Sequence, residues 1–307
     1  MTGVVVLTGG VGGAKLVDGL YRVLPTGTLS AIVNTADDFV HLGLPISPDI
    51  DSLLYLLSGQ ANREQGWGRD GETWNFMAAV ERLGGPDWFN LGDGDLALHV
   101  LRGEALRSGE TLTQVTARFA AAWQLSLAVY PMADTRVETW LETDEGRLSF
   151  QEYFVARQCW PVVRSVSYER AAEASPPPEV LDALGNASAI IVAPSNPWLS
   201  IDPILAIPAI RSALKERRVQ SIAVSPLVRG AAVKGPTAKL MAELGIEPNN
   251  ASIAKHYAGL IDGIVIHEGD DAPEDMAVAT TDTLMHTPID RERVAKAALD
   301  LAAKFAG

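Results

Sequence analysis

Short apolar runs alternate with helical patterns along most of this chain. The first run, 4–7, is rich in β-branched residues, and it is followed by glycines and then by leucine and valine at helical spacing. Similar runs begin at Leu29, Ala189, Ser221 and Gly263, and each ends in a polar turn. Runs of this kind are typical of buried strands in a parallel sheet. The alternation predicts an α/β protein, with a doubly wound, mostly parallel sheet and helices on both faces.

The middle of the chain breaks this rhythm. Apolar and polar residues alternate there, as in antiparallel strands with one buried face, and a proline-rich segment precedes the return to strands and helices. We therefore predict a core formed by residues 1–135 and 186–307, with residues 136–185 inserted as a smaller β-rich region.

Composition and charge narrow the possible functions. The chain has 307 residues, of which 47% are hydrophobic and 21% charged, as is typical of globular proteins. Its net charge of −13 argues against binding to nucleic acid or to an anionic membrane. Cys159 is the single cysteine, so neither an intrachain disulfide nor a thiolate metal cluster is expected. The sequence shows no membrane-spanning run and no secretory signal, so we expect a cytoplasmic protein.

The first predicted strand runs into a segment that contains Gly9, Gly10, Gly12 and Gly13. A glycine-rich turn that opens a helix offers backbone N–H groups and the positive end of the helix dipole to an anion. Lys15 stands where a dinucleotide-binding fingerprint has its third glycine, and the segment also lacks the G-K-[S/T] of a P-loop. The pattern predicts a phosphate or diphosphate site, in which Lys15 is either a counter-charge or a solvated lysine. The alternative is a tight turn between a strand and its helix.

Four aspartates, Asp37, Asp38, Asp49 and Asp51, follow the second predicted strand. Like charges held close together repel, so folding alone gives no reason to gather them. Carboxylates beside a phosphate site suit Mg²⁺, which binds one or two of them together with phosphates and water. We therefore predict that at least two of the four contact a metal ion or a substrate. The alternatives are a turn at the first two and a helix cap at Asp51.

Aromatic residues are concentrated in the glycine-rich sequence that follows. Trp67, Trp74, Trp88 and Phe89 predict either a wall for a flat ring or a core beneath long loops. Further along, Asp93 or Asp95 is expected to cap the helix that carries His99, a residue more typical of a core or a surface than of catalysis.

Ser195 and Asn196 lie in the turn after a later predicted strand. Their side chains can hydrogen-bond a base or a phosphate, and the alternative is an ordinary polar turn. Because the carboxyl ends of parallel strands bind ligands, this turn and the glycine-rich segment are expected at one site.

Taken in their order, these motifs resemble the 2-phospho-L-lactate transferase family. The resemblance runs from the first strand to near the C-terminus, and the ordered set is far more specific than any single motif. The segments that carry it are TGGVGGAKLVDGL, VNTADD, SPDIDSLLYLL, WGRDGETWN, DWFNLGDGD, APSNPWLSIDPIL, VSPLVRGAAVKGP and HEGDD.

The resemblance implies a Rossmann-like fold, a homodimer and two small-molecule substrates. It implies transfer of a phospholactyl or phosphoenolpyruvyl group from a guanosine diphospho-linked donor to the ribityl hydroxyl of a deazaflavin alcohol. GMP would leave, Mg²⁺ would be required, and the product would lead to the deazaflavin coenzyme called factor 420.

The resemblance also implies roles for individual residues. The loop from Gly9 to Gly13 would face the donor phosphates, and Asp37 and Asp49 would be metal ligands and catalytic residues. Asp51 and Asn90 would contact the deazaflavin.

The sequence departs from the family pattern at Asn90, where relatives have a basic or small residue, and at Gly94, where the family usually has arginine. The second departure would remove a positive charge near the substrate. Two other functions stay open, a non-enzymatic nucleotide-sugar-binding regulator of the same superfamily and an NAD-dependent dehydrogenase. Lys15 argues against the dehydrogenase, and the segments SPDID and WGRDGETWN favour the transferase. Phospholactate, phosphoenolpyruvate and phosphoglycerate all stay open as the group carried by the donor.

Overall fold

The computed structural model describes residues 3–62, 68–232 and 235–304. Fourteen strands are found in these residues. In chain order they are β1 (Gly3–Thr8), β2 (Leu29–Val33), β3 (Phe39–His41), β4 (Leu44–Ile46), β5 (Ala128–Pro131), β6 (Glu138–Thr143), β7 (Gly146–Ser149), β8 (Val163–Glu169), β9 (Ala187–Val192), β10 (Ser221–Val224), β11 (Leu227–Val228), β12 (Ala231–Ala232), β13 (Gly263–His267) and β14 (Ala277–Thr281).

The helices alternate with these strands in both halves of the chain. They are α1 (Gly10–Val23), α2 (Pro48–Leu57), α3 (Asn75–Arg82), α4 (Asp95–Arg107), α5 (Leu112–Ala122), α6 (Pro178–Gly185), α7 (Asp202–Leu205), α8 (Pro208–Lys215), α9 (Thr237–Glu243), α10 (Asn250–His256) and α11 (Pro288–Ala303), with π turns at Glu152–Ala156 and Pro197–Ile201. Within the described ranges, no helix combines the length and the apolar character that crossing a membrane requires.

The main sheet has seven strands in the order β14-β13-β10-β9-β1-β2-β5. Every pairing within it is parallel. β1 lies between β2 and β9, so the first half of the chain extends the sheet to one side and the second half extends it to the other. The point at which the direction reverses therefore falls between β1 and β9. The predicted doubly wound α/β fold is confirmed.

The two faces of β1 serve two hydrophobic layers. Val4 and Val6 pack in one cluster with residues of α1, α2, α5 and α11. Val5 and Leu7 pack in a second cluster with residues of α6 to α10. The β-branched run at the start of the chain is therefore buried on both sides, which explains why its hydrophobicity is continuous rather than alternating.

An antiparallel sheet in the order β7-β6-β8 lies within the range predicted to be β-rich. The segment after β7 forms the π turn Glu152–Ala156, where the alternating pattern had suggested a longer strand. Leu141, Tyr153 and Val163 of this region share a hydrophobic cluster with the main sheet. The small sheet is thus packed onto the larger one, and the predicted domain boundaries stay a prediction.

We predict that Gly19→Ala destabilises the protein by about 1–3 kcal/mol, a typical cost of overpacking. α1 approaches α11 so closely at Gly19 that a Cβ there would overlap the backbone carbonyl of Arg291. Urea unfolding measures the difference. Gly185, at the end of α6, is the matched control, since a Cβ there would meet none of the described residues within 4 Å. Gly185→Ala should be neutral or slightly stabilising, and equal losses in both variants would contradict the close approach.

Candidate active site

The carboxyl ends of β1, β2 and β9 meet at the reversal point of the main sheet. Gly9 follows β1, Asn34 follows β2, and the turn from Ala193 to Asn196 follows β9. Backbone hydrogen bonds join these segments, from Asn34 to Thr8 (2.9 Å) and from Ala193 to Leu7 (3.0 Å). Open α/β sheets bind their ligands at such a point.

Ser195 holds the glycine-rich loop in place. Its hydroxyl donates to the carbonyl oxygen of Gly9 at 2.7 Å and accepts the N–H of the same residue at 3.3 Å. Gly10 has a φ of +65°, a left-handed conformation that glycine adopts without strain. A Cβ on Gly13 would overlap the hydroxyls of Thr8 and Ser195. Gly10 and Gly13 are therefore required by the shape of the loop itself.

The N-terminus of α1 has a carboxylate beside it. A Cβ on Gly9, directly before α1, would overlap Oδ2 of Asp49, so this carboxylate lies at the helix terminus. Gly10, Val11 and Gly12 are partly exposed. Since the first N–H groups of a helix have no partners within it, those that follow Gly10 are accessible to an anionic ligand. Lys15 lies further along the same helix and is also partly exposed.

Asn34 joins two aspartates at this N-terminus. Its Nδ2 lies 2.9 Å from Oδ2 of Asp37 and 3.1 Å from Oδ2 of Asp49. The same nitrogen lies 3.4 Å from the carbonyl oxygen of Leu199 in the π turn after β9. We refer to Asp37 and Asp49 as the acidic pair. The structure thus brings together the two residues proposed as metal ligands, although they are separated in sequence by two strands.

Burial and mutual repulsion disfavour the ionised forms of the acidic pair. Burial, with the nearby charges of Asp49 and Asp38, raises the pKa of Asp37 well above its ordinary value. Burial also raises the pKa of Asp49 to about 6, against the opposing hydrogen bonds from Gly10 and Asn34. Oδ1 of Asp37 is buried without a hydrogen-bond partner among the described residues. Two close carboxylates and an unsatisfied oxygen fit a divalent cation, which would favour their ionised forms.

The acidic pair does not form a complete metal site by itself. Across the described part of the chain, no three His, Cys, Asp or Glu side chains are gathered so as to hold a metal ion. Mg²⁺ is commonly bound by one or two carboxylates, with the other positions taken by water and substrate phosphates. The arrangement therefore suits a metal that arrives together with a phosphate ligand.

The other two aspartates face different partners. Oδ2 of Asp38 accepts the hydroxyl of Ser47 at 2.6 Å, while Oδ1 is buried without a partner among the described residues. Burial raises the pKa of Asp38 well above its ordinary value. Both oxygens of Asp51 accept hydrogen bonds from the guanidinium of Arg102. Asp51 lies inside α2, which begins at Pro48, so the alternative of a helix cap at Asp51 is wrong.

A cavity of about 180 Å³ lies beside Asp38, between the β3–β4 hairpin and α4. Its lining includes Asp38, Phe39, Ser47 and Arg102. Phe39 also belongs to an aromatic group, in which Phe89 lies 4.8 Å and Trp88 5.9 Å from it between ring centroids. Of this group only Phe39 lines the cavity. Phe39 and Phe89 also pack against a small hydrophobic core under these loops, so both alternatives, a wall for a flat ring and a core, stay open.

The remaining residues of the predicted wall and acceptor site are more scattered. Trp74 is exposed, and Trp67 lies outside the described residues. Asn90 directly follows the aromatic group and is exposed. A side chain on Gly94 would overlap the guanidinium of Arg69. Arg69 is paired with Glu72, which also lies against Gly94, so its positive charge there is balanced by a carboxylate.

Neither Asp93 nor Asp95 caps the helix that carries His99. Gly94 occupies the cap position of α4, and Asp95 is its first residue. Asp93 instead accepts the backbone N–H of Phe76 at 3.0 Å at the start of α3. That expectation was wrong because it considered only the helix that follows Asp93 in the sequence. Asp93 instead caps α3, whose first residue, Asn75, lies 18 residues before it.

The turn after β9 uses one atom of Asn196 and leaves another available. Oδ1 of Asn196 accepts the N–H groups of Trp198 (3.0 Å) and Leu199 (3.1 Å), which starts the π turn. Nδ2 is buried without a partner among the described residues. Ser195 serves the glycine-rich loop, and the unused amide group of Asn196 is the better candidate for ligand contact.

Several residues that shape the site were not singled out from the sequence. Nε2 of Gln151 donates to the carbonyl oxygen of Asp37 at 3.0 Å, and the N–H of Thr139 donates to that of Ala36 at 2.9 Å. The inserted region thus supports the turn that carries Asp37. Gln151 has no signal in its local sequence, whereas Asn34, an amide at the end of a strand and three residues before Asp37, does.

Comparisons with known proteins agree with this picture. The family model described as 2-phospho-L-lactate transferase CofD matches residues 4–304. The phosphoenolpyruvate transferase of Streptomyces griseus is 40% identical over 97% of this chain and 98% of its own length. The 2-phospho-L-lactate transferase of Methanosarcina mazei is 38% identical over 88% of each chain. A crystal structure of a UPF0052 family member from Bacillus halodurans superposes with a TM-score of 0.64 at 16% identity, covering 97% of this chain and 98% of that one, and shows the shared fold.

We predict that Asp49→Asn makes the protein more stable than wild type at pH 7.5 when divalent cations are absent. Because the pKa of Asp49 is raised to about 6 in the folded state, the folded protein retains a proton that the unfolded chain releases at about pH 4. Stability therefore falls as pH rises between these values, and asparagine escapes this loss. Calorimetry from pH 4 to 8 should show the difference narrowing toward acid.

Asp93→Asn is the control for this measurement. Hydrogen bonds from the Thr73 hydroxyl and from the backbone of Phe76 lower the pKa of Asp93 to about 2. This variant should gain no stability at pH 7.5. An equal gain in both variants would mean that the effect comes from net charge and not from the buried site.

Proposed function

Because this chain belongs to the 2-phospho-L-lactate transferase family, we propose that it transfers a phospholactyl or phosphoenolpyruvyl group to a deazaflavin alcohol. The donor is a guanosine diphospho-linked compound, and the acceptor is the ribityl hydroxyl of 7,8-didemethyl-8-hydroxy-5-deazariboflavin. The hydroxyl oxygen bonds to the phosphorus that carries the organic acid, the P–O–P bridge breaks, and GMP leaves. The product belongs to the biosynthesis of the deazaflavin coenzyme.

The observation that carries this proposal is that the N-terminus of α1, a place suited to an anion, lies directly beside the acidic pair. Asp49 lies at the start of α1, where a Cβ on Gly9 would overlap its Oδ2, and Asn34 connects Asp49 with Asp37. A diphosphate at the N-terminus of α1 would lie directly beside the two carboxylates, so a cation held by them would also reach the phosphates. Phosphoryl transfer depends mainly on such positioning and on charge neutralisation.

The donor would be held from three sides. Backbone N–H groups of the first turn of α1, as far as Gly12, would donate to its phosphate oxygens. The unused Nδ2 of Asn196 would add a donor from the turn after β9. Asp37 and Asp49 would bind Mg²⁺, which when bound neutralises negative charge on the diphosphate as GMP departs.

The acceptor would approach from the side of the aromatic group. Pockets for whole drug-sized ligands span roughly 300–1,000 Å³, so the cavity of about 180 Å³ suits the ribityl chain alone. The flat ring system would then lie against Phe39, Trp88 and Phe89, within reach of Asn90. Asp38 lines the cavity, and its unpartnered Oδ1 and raised pKa suit it to take the proton of the hydroxyl.

Product analysis by mass spectrometry tests the proposal. The protein is incubated with the deazaflavin alcohol, Mg²⁺ and each of the three candidate donors in turn. Formation of GMP together with a deazaflavin phosphodiester is expected with one of them. A regulator that only binds nucleotide sugars would ignore the deazaflavin in a binding titration, and that result would overturn the proposal. The homodimer implied by the family resemblance stays a prediction that size-exclusion chromatography with light scattering can test.

We predict that transfer stops after exhaustive chelation and returns with Mg²⁺, without any need for zinc. Asp49→Asn should lower kcat about 10- to 1,000-fold, the scale of losing one electrostatic group of a transfer site. Because asparagine still offers one oxygen ligand, high Mg²⁺ should restore part of this loss. Initial rates across a Mg²⁺ series measure both effects.

Asp144→Asn, in the turn between β6 and β7, is the matched control for this series. The Asp144 side chain accepts the N–H of Val162 at 2.8 Å, a role that asparagine can also fill. Its Mg²⁺ dependence should equal that of wild type. A metal dependence of Asp49→Asn that is also unchanged would remove Asp49 from the proposed metal site.

A further inference from the structure

Five polar side chains connect α2 with α4 beside the proposed active site, and we refer to them as the ladder. Asp51 and Tyr55 belong to α2, and Asp95, His99 and Arg102 belong to α4. Arg102 and His99 are each only 1% exposed. The reaction as proposed above assigns no chemistry to this set.

The ladder makes contacts at two levels. At one level, Arg102 donates to both oxygens of Asp51, and Nδ1 of His99 lies 3.8 Å from Oδ2 of the same carboxylate. At the other level, the hydroxyl of Tyr55 donates to Asp95, whose Oδ2 lies 3.1 Å from Nε2 of His99. Asp51, the earlier residue of α2, pairs with Arg102 in the second half of α4, whereas Tyr55 pairs with Asp95 at its start. The two helices therefore run in opposite directions, and these contacts fix their register.

Stability alone does not explain such a ladder. The cost of removing charges from water offsets much of their attraction, and apolar replacements of buried ion pairs are often as stable or more so. Apolar surfaces, however, tolerate sliding, whereas a bidentate contact between Arg102 and Asp51 accepts one arrangement. The best attested use of buried polar pairs is to fix a single register.

This register determines how the two halves of the proposed site face each other. Asp49 lies in the first turn of α2, so α2 carries one member of the acidic pair. α4 begins directly after the loop that holds Trp88, Phe89 and Asn90. Arg102 also lines the cavity next to Asp38. A shift of α4 along α2 would therefore displace the acceptor side of the site relative to the donor side.

We propose that Arg102 is a positioning residue for the transfer reaction, one that acts through Asp51 to hold the acceptor loop in register with the acidic pair. The inference rests on the proposed function. It gives Asp51 a place in the ladder through both of its oxygens, which Arg102 engages, and each oxygen keeps a further lone pair for the acceptor contact that the family resemblance implies. Misplacement of reacting groups by about 1 Å can cost about 100-fold in rate, so a modest loss of register has a measurable effect.

The test removes both charges of the ion pair together. Arg102→Gln alone would leave Asp51 as an unpaired buried charge and endanger the fold, so the variant combines Asp51→Asn with Arg102→Gln. We expect kcat/KM for the deazaflavin alcohol to fall about 10- to 100-fold. The KM for the donor should stay within about twofold of wild type, because donor binding is not altered. A purely structural role would move both parameters or neither.

Tyr55→Phe separates positioning from direct contact. It removes one hydroxyl at the far level of the ladder and leaves Asp51 and Arg102 in place. If the ladder sets the register, acceptor kcat/KM falls in this variant too, by several-fold. If Asp51 contacts the acceptor directly and the ladder has no role, Tyr55→Phe behaves like wild type, and the inference is overturned.

The control is a partly exposed ion pair at the opposite end of the sheet. Nη2 of Arg217 lies 2.7 Å from Oδ1 of Asp262, which directly precedes β13. Asp262→Asn with Arg217→Gln should leave kinetics for both substrates unchanged, and near-UV circular dichroism verifies the fold of every variant. If the Asp51→Asn, Arg102→Gln variant transfers as well as wild type, the inference is overturned and the proposed function is not. Absence of transfer in wild type overturns the proposed function and the inference with it.

Discussion

The carboxamide of Asn34 is the interaction on which the candidate site depends. One nitrogen is shared by Asp37, by Asp49 and by the carbonyl oxygen of Leu199, so β2, α2 and the π turn meet at one donor. Two carboxylates held this close repel each other, and burial raises the pKa of both. The N–H of Gly10 and the positive end of α1 oppose this repulsion only in part. A cation bound between the two carboxylates would offset this repulsion and favour their ionised forms.

Most of the main sheet is predictable because its central strands are buried on both faces. The runs that begin at residues 4, 29, 189, 221 and 263 all form strands of that sheet. β5 and β14 were not predicted from the sequence, and both lie at the edges of the main sheet. An edge strand needs less apolar surface, so Pro131 is tolerated in β5 and threonines end β14. The predictable part of the fold is thus the part where the demand for burial leaves the sequence little choice.

The candidate site was predictable only where its chemistry is local. The glycine-rich loop and the aspartates are recognisable because a turn and a charge cluster are written in consecutive residues. Their partners are distant: Arg102 lies 51 residues from Asp51, and Gln151 lies 114 residues from Asp37. An arginine on a helix and a glutamine after a strand are common, and the residues around them in the sequence do not indicate a functional role. What each one does is decided by tertiary packing, on which local patterns carry no information.

The hydrogen bonds by which Ser195 holds the glycine-rich loop have a consequence for folding during synthesis on the ribosome. Ser195 and Gly9 are 186 residues apart, and β1 pairs with β9 from the second half of the chain. Synthesis proceeds from the N-terminus, so β1 emerges long before its partner and presents an unpaired, strongly apolar edge in the meantime. In a nascent chain the glycine-rich loop therefore lacks its contacts with Ser195, and the proposed phosphate site stays incomplete, until the turn after β9 has left the exit tunnel.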